Sequence, residues 1–297
     1  MNKIKNISIL GSFFGLWIAT LFSQESQIIV AFALIFSFGI LHGANDLVLI
    51  KKVQQNNKTL SFVKILIGYI VIVGLGFVLF NFMPLFALVL FIIVSAYHFG
   101  EQHWQIIGSE IPKWKKFILQ FIYGLFVLSM VFYFHQSEVQ QIIFGITQFN
   151  LPAYLLTTLF VFSGILLMLN VCYFSIISLR FRTRIIKEAF YLLVFAIVFY
   201  TSNLIWGFAL YFVLWHSIPS LADQIRFLYG SFNWGNFIAY FKSAFLYWLI
   251  SLIGIALLYY FLKETKIFNA LFFSTLAAIT FPHVVVILKM TQSIKKS

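Results

Sequence analysis

The run ILIGYIVIVGLGFVLFNF at residues 65–82, followed after Met83 by PLFALVLFIIVSAYHFG at residues 84–100, contains no charged side chain. Each run is close to the twenty or so apolar residues that a helix needs to cross a bilayer, and the polar groups of such a backbone must be satisfied internally. The pair therefore reads as two membrane-crossing helices, the second carrying His98 near its end. The rest of the chain agrees. Of its 297 residues, 62% are hydrophobic and 9% charged, and the mean hydropathy is +0.98, more apolar surface than a soluble globule of this size can hide.

Extending the same reading outward gives about ten apolar cores: 7–22, 28–50, 65–82, 84–100, 117–134, 152–177, 189–201, 204–222, 243–262 and 267–288. The expected fold is an all-α polytopic membrane bundle of about 8–10 transmembrane helices, with residues 1–297 forming a single transmembrane domain. The core at 189–201 is the weakest, being short and joined to the next only by Ser202 and Asn203. Lysine and arginine orient the bundle, because short cytoplasmic loops carry an excess of them. With the N-terminus inside, 18 of the 20 basic residues fall on cytoplasmic segments, and only Lys263 and Lys266 fall outside. Both termini are then cytoplasmic, and the protein is expected to be a multi-pass protein of the cell membrane. The first core, preceded by Lys3 and Lys5, also has the look of a signal peptide, but no convincing cleavage site follows before Gln24, so it is read as a retained helix.

The net charge of +12 is spread over six loops and forms no dense patch, which argues against nucleic acid as a partner. A lone Cys172 within an apolar run rules out an internal disulfide and cysteine-rich metal sites. The 39 phenylalanines, 14 tyrosines and 7 tryptophans suit either lipid-facing surface or the lining of a cavity for a long, flat, apolar ligand.

Four of the six histidines share one depth in this threading. His42 lies nine residues before Lys51, His98 fifteen before Lys113, His216 ten before Arg226 and His283 six before Lys289. At 1.5 Å per helical residue these offsets span roughly 9 to 22 Å, so all four belong to the inner half of the bundle. Histidine is costly in lipid and a ready ligand for transition metals, and a ring of them from separate helices points to a buried metal site. Asp46 follows His42 by four residues and Glu101 follows His98 by three, so each could orient its histidine from the same helical face. Pro219, three residues after His216, and Pro282, just before His283, should kink or break their helices there. His135, at the outer end of its helix, reads as an interfacial polar residue.

The ordered motifs His42-Gly43-x-x-Asp46, Ser95-x-x-His98-Phe99-Gly100, Trp215-His216-Ser217 and Pro282-His283 resemble the Brp/Blh family of membrane β-carotene 15,15′-dioxygenase-like proteins, over nearly the whole chain. The resemblance implies oxidative cleavage of the central double bond of β-carotene to retinal, with Fe(2+) as cofactor and His42, His98 and His216 as its catalytic ligands. It also implies a membrane-dissolved carotenoid and dioxygen as substrates, and a microbial rhodopsin as a receiver of retinal. The family commonly carries another histidine four residues after the one matching His216, where this chain has Ser220. His283 is the preferred replacement as fourth metal ligand, with His103 the alternative if Gly100 breaks the helix and brings it round. Asp46 and Glu101 would tune the ligands from behind.

Neutral imidazoles suit ferrous iron on chemical grounds alone. A di-iron desaturase would need more histidines in clustered boxes than this chain has. The non-enzymatic alternative is a carotenoid- or retinal-binding or opsin-assembly membrane protein, and a third reading is an oxygenase for a different carotenoid. No serine–histidine–acid arrangement or glycine-rich phosphate loop is visible.

Overall fold

The computed structural model describes residues 2–54, 62–104, 111–261 and 265–294. Lys58, Lys263, Lys295 and Lys296, which enter the charge argument, lie outside the described residues. In chain order the helices are α1 (Asn2–Ala19), α2 (Gln24–Leu34), α3 (Asp46–Gln54), α4 (Phe62–Phe82), α5 (Pro84–His103), α6 (Lys113–Phe134) and α7 (Gln136–Thr147). They continue as α8 (Ala153–Ile177), α9 (Leu179–Thr201), α10 (Leu204–Tyr211), α11 (Ile218–Tyr229), α12 (Trp234–Phe261) and α13 (Thr265–Ile294). Two π turns, Ile35–Gly39 and Phe212–Ser217, follow α2 and α10 directly. No strand occurs among the described residues.

Seven helical segments among the described residues are long and apolar enough to cross a membrane, so the chain is an all-α, multi-pass membrane protein. They coincide with seven of the ten expected cores. The other three fall short for visible reasons. Helix α1 opens with the polar Asn2, Lys3, Lys5 and Asn6, the expected 28–50 core is interrupted, and α9 opens with Arg180, Arg182, Arg184 and Lys187. Side chains such as Ile67, Ile70, Val71 and Leu75 on α4 are exposed, an arrangement that only lipid makes favourable.

The 28–50 core is the main correction to the expected helices. Its first part ends in the π turn, residues 42–45 form a turn in which Gly43 N–H donates to the Ile40 carbonyl at 3.1 Å, and α3 starts afresh at Asp46. Helix α7 is a second departure, since residues 135–151 have too little apolar length to register as a crossing. Its ends are set locally, by Gln148 in the left-handed region (φ 56°) after it and by the helix break at His135 before it. Elsewhere the caps are conventional: the Ser178 hydroxyl accepts from Phe181 N–H at 3.2 Å to start α9, and the Asn203 side chain accepts from Trp206 N–H at 2.9 Å to start α10.

The chain folds as two compact units. The first comprises residues 1–32, 92–144 and 148–216, and the second 33–91, 145–147 and 217–297. In the first, α6 packs on α8 with a buried Ser129–Ser163 hydroxyl hydrogen bond of 2.8 Å and stacked Phe126 and Phe160 rings. Helices α5 and α6 meet at backbone level: a Cβ on Gly100 would collide with the Gln120 carbonyl, and one on Gly124 with that of Ala96. Small residues permit such approach in lipid, where no hydrophobic effect drives helices together. Gly100 therefore does not break α5, which runs on to His103. In the second unit, α13 packs on α4, where Gly76 faces Ala278, and on α3, where Leu49 joins Val286, Ile287 and Met290. Helix α13 continues through Pro282 rather than ending there.

Candidate metal centre

In the first unit, His98 on α5 and His216 in the π turn after α10 face each other, with ring centroids 4.6 Å apart and planes at 76°. Phe99 packs 4.8 Å and Phe212 5.6 Å from the His216 ring, so apolar rings shield the pair. Gln102 fixes His216 twice. Its amide nitrogen donates to the His216 carbonyl at 3.0 Å, which leaves its amide oxygen as the acceptor for His216 Nδ1 at 2.7 Å. An amide oxygen can only accept, so the imidazole proton sits on Nδ1 and the lone pair on Nε2. The break expected at Pro219 takes the form of this π turn, a device that recurs at functional sites.

In the second unit, His42 in the 42–45 turn meets His283 on α13, with centroids 4.8 Å apart and planes at 87°. The Asp46 carboxylate accepts from His283 Nδ1 at 2.9 and 3.1 Å, and the Tyr69 hydroxyl donates to Asp46 Oδ2 at 3.0 Å. This again places the ring's lone pair on Nε2. All four histidines are at most 5% exposed. Buried imidazoles with Nδ1 bound to a carboxylate or amide oxygen are the ligand form that transition metals take up, and the donor set fits a borderline divalent ion such as ferrous iron.

The expected role of Asp46 needs correction. Because residues 42–45 are not helical, Asp46 does not sit one turn along from His42, and its carboxylate binds His283. Glu101 is buried, and its neighbour Gln102 grips His216. Gln102 is four residues after His98, but the histidine it holds is His216, 114 positions further on, which no spacing rule within α5 indicates. Tyr69 carried no signal either.

His103 sits elsewhere. Its Nδ1 lies 2.9 Å from Glu188 Oε2, Tyr123 donates to the same oxygen at 3.1 Å, and Lys5 pairs with Glu188 Oε1 at 3.2 Å. The His103 ring packs on Tyr123 and Phe195. His135 pairs with Glu138 at 3.3 Å at the junction of α6 and α7. Ser220 is buried in a polar chain within the second unit: Gln224 donates to its hydroxyl at 3.1 Å and accepts from Tyr240 at 2.7 Å, while Asn45 donates to the Tyr240 carbonyl at 3.0 Å.

A multi-pass helical membrane protein with two buried histidine pairs, in each of which one ring is held through Nδ1, is the class these features define. Among known protein families, the one described as beta-carotene 15,15′-dioxygenase matches residues 33–291, which include all four histidines, and the chain belongs to that family. No curated protein matches it, and no solved structure does.

Proposed function

We propose that the protein cleaves the central 15,15′ double bond of β-carotene within the cell membrane, using ferrous iron for which His42, His98, His216 and His283 would be the ligands. The carbon–carbon double bond breaks, each of its carbons takes one oxygen atom of dioxygen, and two retinal molecules result. The observation that carries this reading is the pairing of histidines whose Nδ1 protons are committed to Asp46 and Gln102, in a chain of the β-carotene dioxygenase family.

When bound, ferrous iron supplies the one-electron chemistry that dioxygen needs to react with a closed-shell alkene. The protein's own groups have other tasks. Asp46 and Gln102 hold the imidazoles in one tautomer, Tyr69 holds Asp46, and Phe99 and Phe212 keep water from the His216 ring. No general base is required, because no proton leaves the substrate. The carotenoid is already dissolved in the bilayer and reaches the site sideways, and the retinal passes to a membrane rhodopsin.

The test is to express the chain in β-carotene-accumulating cells, measure retinal and apocarotenals, and determine the iron content of the purified protein. Retinal together with stoichiometric iron is expected. Iron with shorter or longer apocarotenals instead would shift the reading to another carotenoid, and neither iron nor cleavage would favour a carotenoid-binding protein.

A further inference from the structure

Helix α1 lies outside the residues matched to the family, yet it is tied to the segment that carries His216. The Trp206 indole donates to the Gly15 carbonyl at 3.2 Å, and the Trp215 indole donates to the Ser12 hydroxyl at 2.9 Å. Ser12 spends its own proton on the Ser8 carbonyl at 2.8 Å, so its oxygen is the acceptor for Trp215. Ser8 has two carbonyls in reach, Ile4 at 3.1 Å and Leu214 at 2.6 Å, and the shorter contact is the one across to the π turn.

That contact answers a specific need. In a π turn each carbonyl looks to the N–H five residues on. Five residues after Leu214 stands Pro219, which has no N–H. A carbonyl without a donor is costly in lipid, and the Ser8 hydroxyl supplies one from another helix. Near its start α1 is held by the Lys5–Glu188 ion pair, and Glu188 in turn holds His103 at the end of the helix bearing His98.

We propose that α1 is a positioning element of the histidine site, with Ser8 and Ser12 as positioning residues that fix the π turn presenting His216. This rests on the reading of the histidines as metal ligands. Losing a side chain bonded directly to a metal ligand typically costs about 10–100-fold in metal affinity, and Ser8 and Ser12 act through the backbone and side chain next to one.

The test is Co(II) titration of the full-length, detergent-solubilised protein, followed by ligand-field absorption in the visible. Ser8→Ala is expected to weaken Co(II) binding about tenfold or more and to alter the band shape. Ser8→Thr, which keeps the hydroxyl, should restore both. Ser129→Ala, which removes a buried serine hydrogen bond away from the π turn, should leave both unchanged. If Ser8→Ala does not accumulate, Ser12→Ala and Ser8→Thr carry the comparison, with Ser12→Ala expected to weaken binding. Wild-type Co(II) affinity and spectrum in Ser8→Ala or Ser12→Ala, where His216→Ala has lost binding, would overturn the proposal while leaving the metal reading intact. Unchanged Co(II) binding in His216→Ala would overturn the metal reading itself.

Discussion

The carboxylate of Asp46 is bonded to Nδ1 of His283, 237 positions further along the chain, at 2.9 Å. The two residues come together because α3 and α13 pack in the same unit, with Leu49 against Val286 and Ile287. A carboxylate behind a metal-binding imidazole fixes its tautomer and raises its basicity. Asp46→Asn should therefore lower iron affinity about 10–100-fold, and Tyr69→Phe, which removes only a donor to Asp46, should do less. Iron titration of the two variants against the parent checks the order; a larger loss in Tyr69→Phe would contradict this chain of support.

Gln102 does for His216 what Asp46 does for His283, with a neutral oxygen. Gln102→Leu removes both of its hydrogen bonds to His216 and should weaken metal binding by at least tenfold, while Gln102→Glu keeps an acceptor for Nδ1 and should retain more. Metal affinities measured side by side decide this, and equal losses in both variants would mean that packing rather than the acceptor matters.

The fourth ligand is expected to be His283 rather than His103. His283→Ala should reduce iron content as far as His42→Ala does. His103→Ala should instead lower thermal stability, because Glu188 loses a partner while Lys5 and Tyr123 remain. His135→Ala should leave iron content near that of the parent. Iron lost in His103→Ala with normal unfolding would reverse the assignment.

Ser220→His restores the family's usual histidine, yet the site is occupied by a polar chain. The substitution removes the acceptor of Gln224 and should cost about 1–3 kcal/mol in stability, with no gain in iron affinity. Thermal denaturation and iron titration check both halves. Tighter iron binding would show that position 220 is open to a ligand.

From the distribution of basic residues both termini are expected to be cytoplasmic. Reporters fused after Lys58 and after Lys187 should register the same side of the membrane, and opposite sides would remove the common depth of the four histidines.

The membrane helices were legible because hydropathy over twenty residues is a strong signal, and seven of the expected cores fall on long apolar helices. The histidines were legible because polar groups stand out in such runs. What pairs with them was not. Spacing rules describe neighbours within one continuous helix, so they fail at residues 42–45, where the chain turns, and they cannot see across to residue 283. Even on the unbroken α5 the same rule would assign Gln102 to His98, four residues before it, whereas Gln102 holds His216 on a distant segment. Helix α7 left a faint trace in buried Val139 and Ile143, one turn apart, within a stretch too polar for a hydropathy window. The π turns have no simple sequence mark beyond Pro219.

The meeting of α5 and α6 at Gly100 and Gly124 leaves no side chain between the two backbones that could give way. Helices in contact through flexible side chains can slide past one another when the surrounding bilayer thins or thickens. These two cannot, so a change in hydrocarbon thickness must be taken up by tilting the pair as one rod. His98, one turn or less from the contact, keeps its height against α6 in short-chain and long-chain lipid alike.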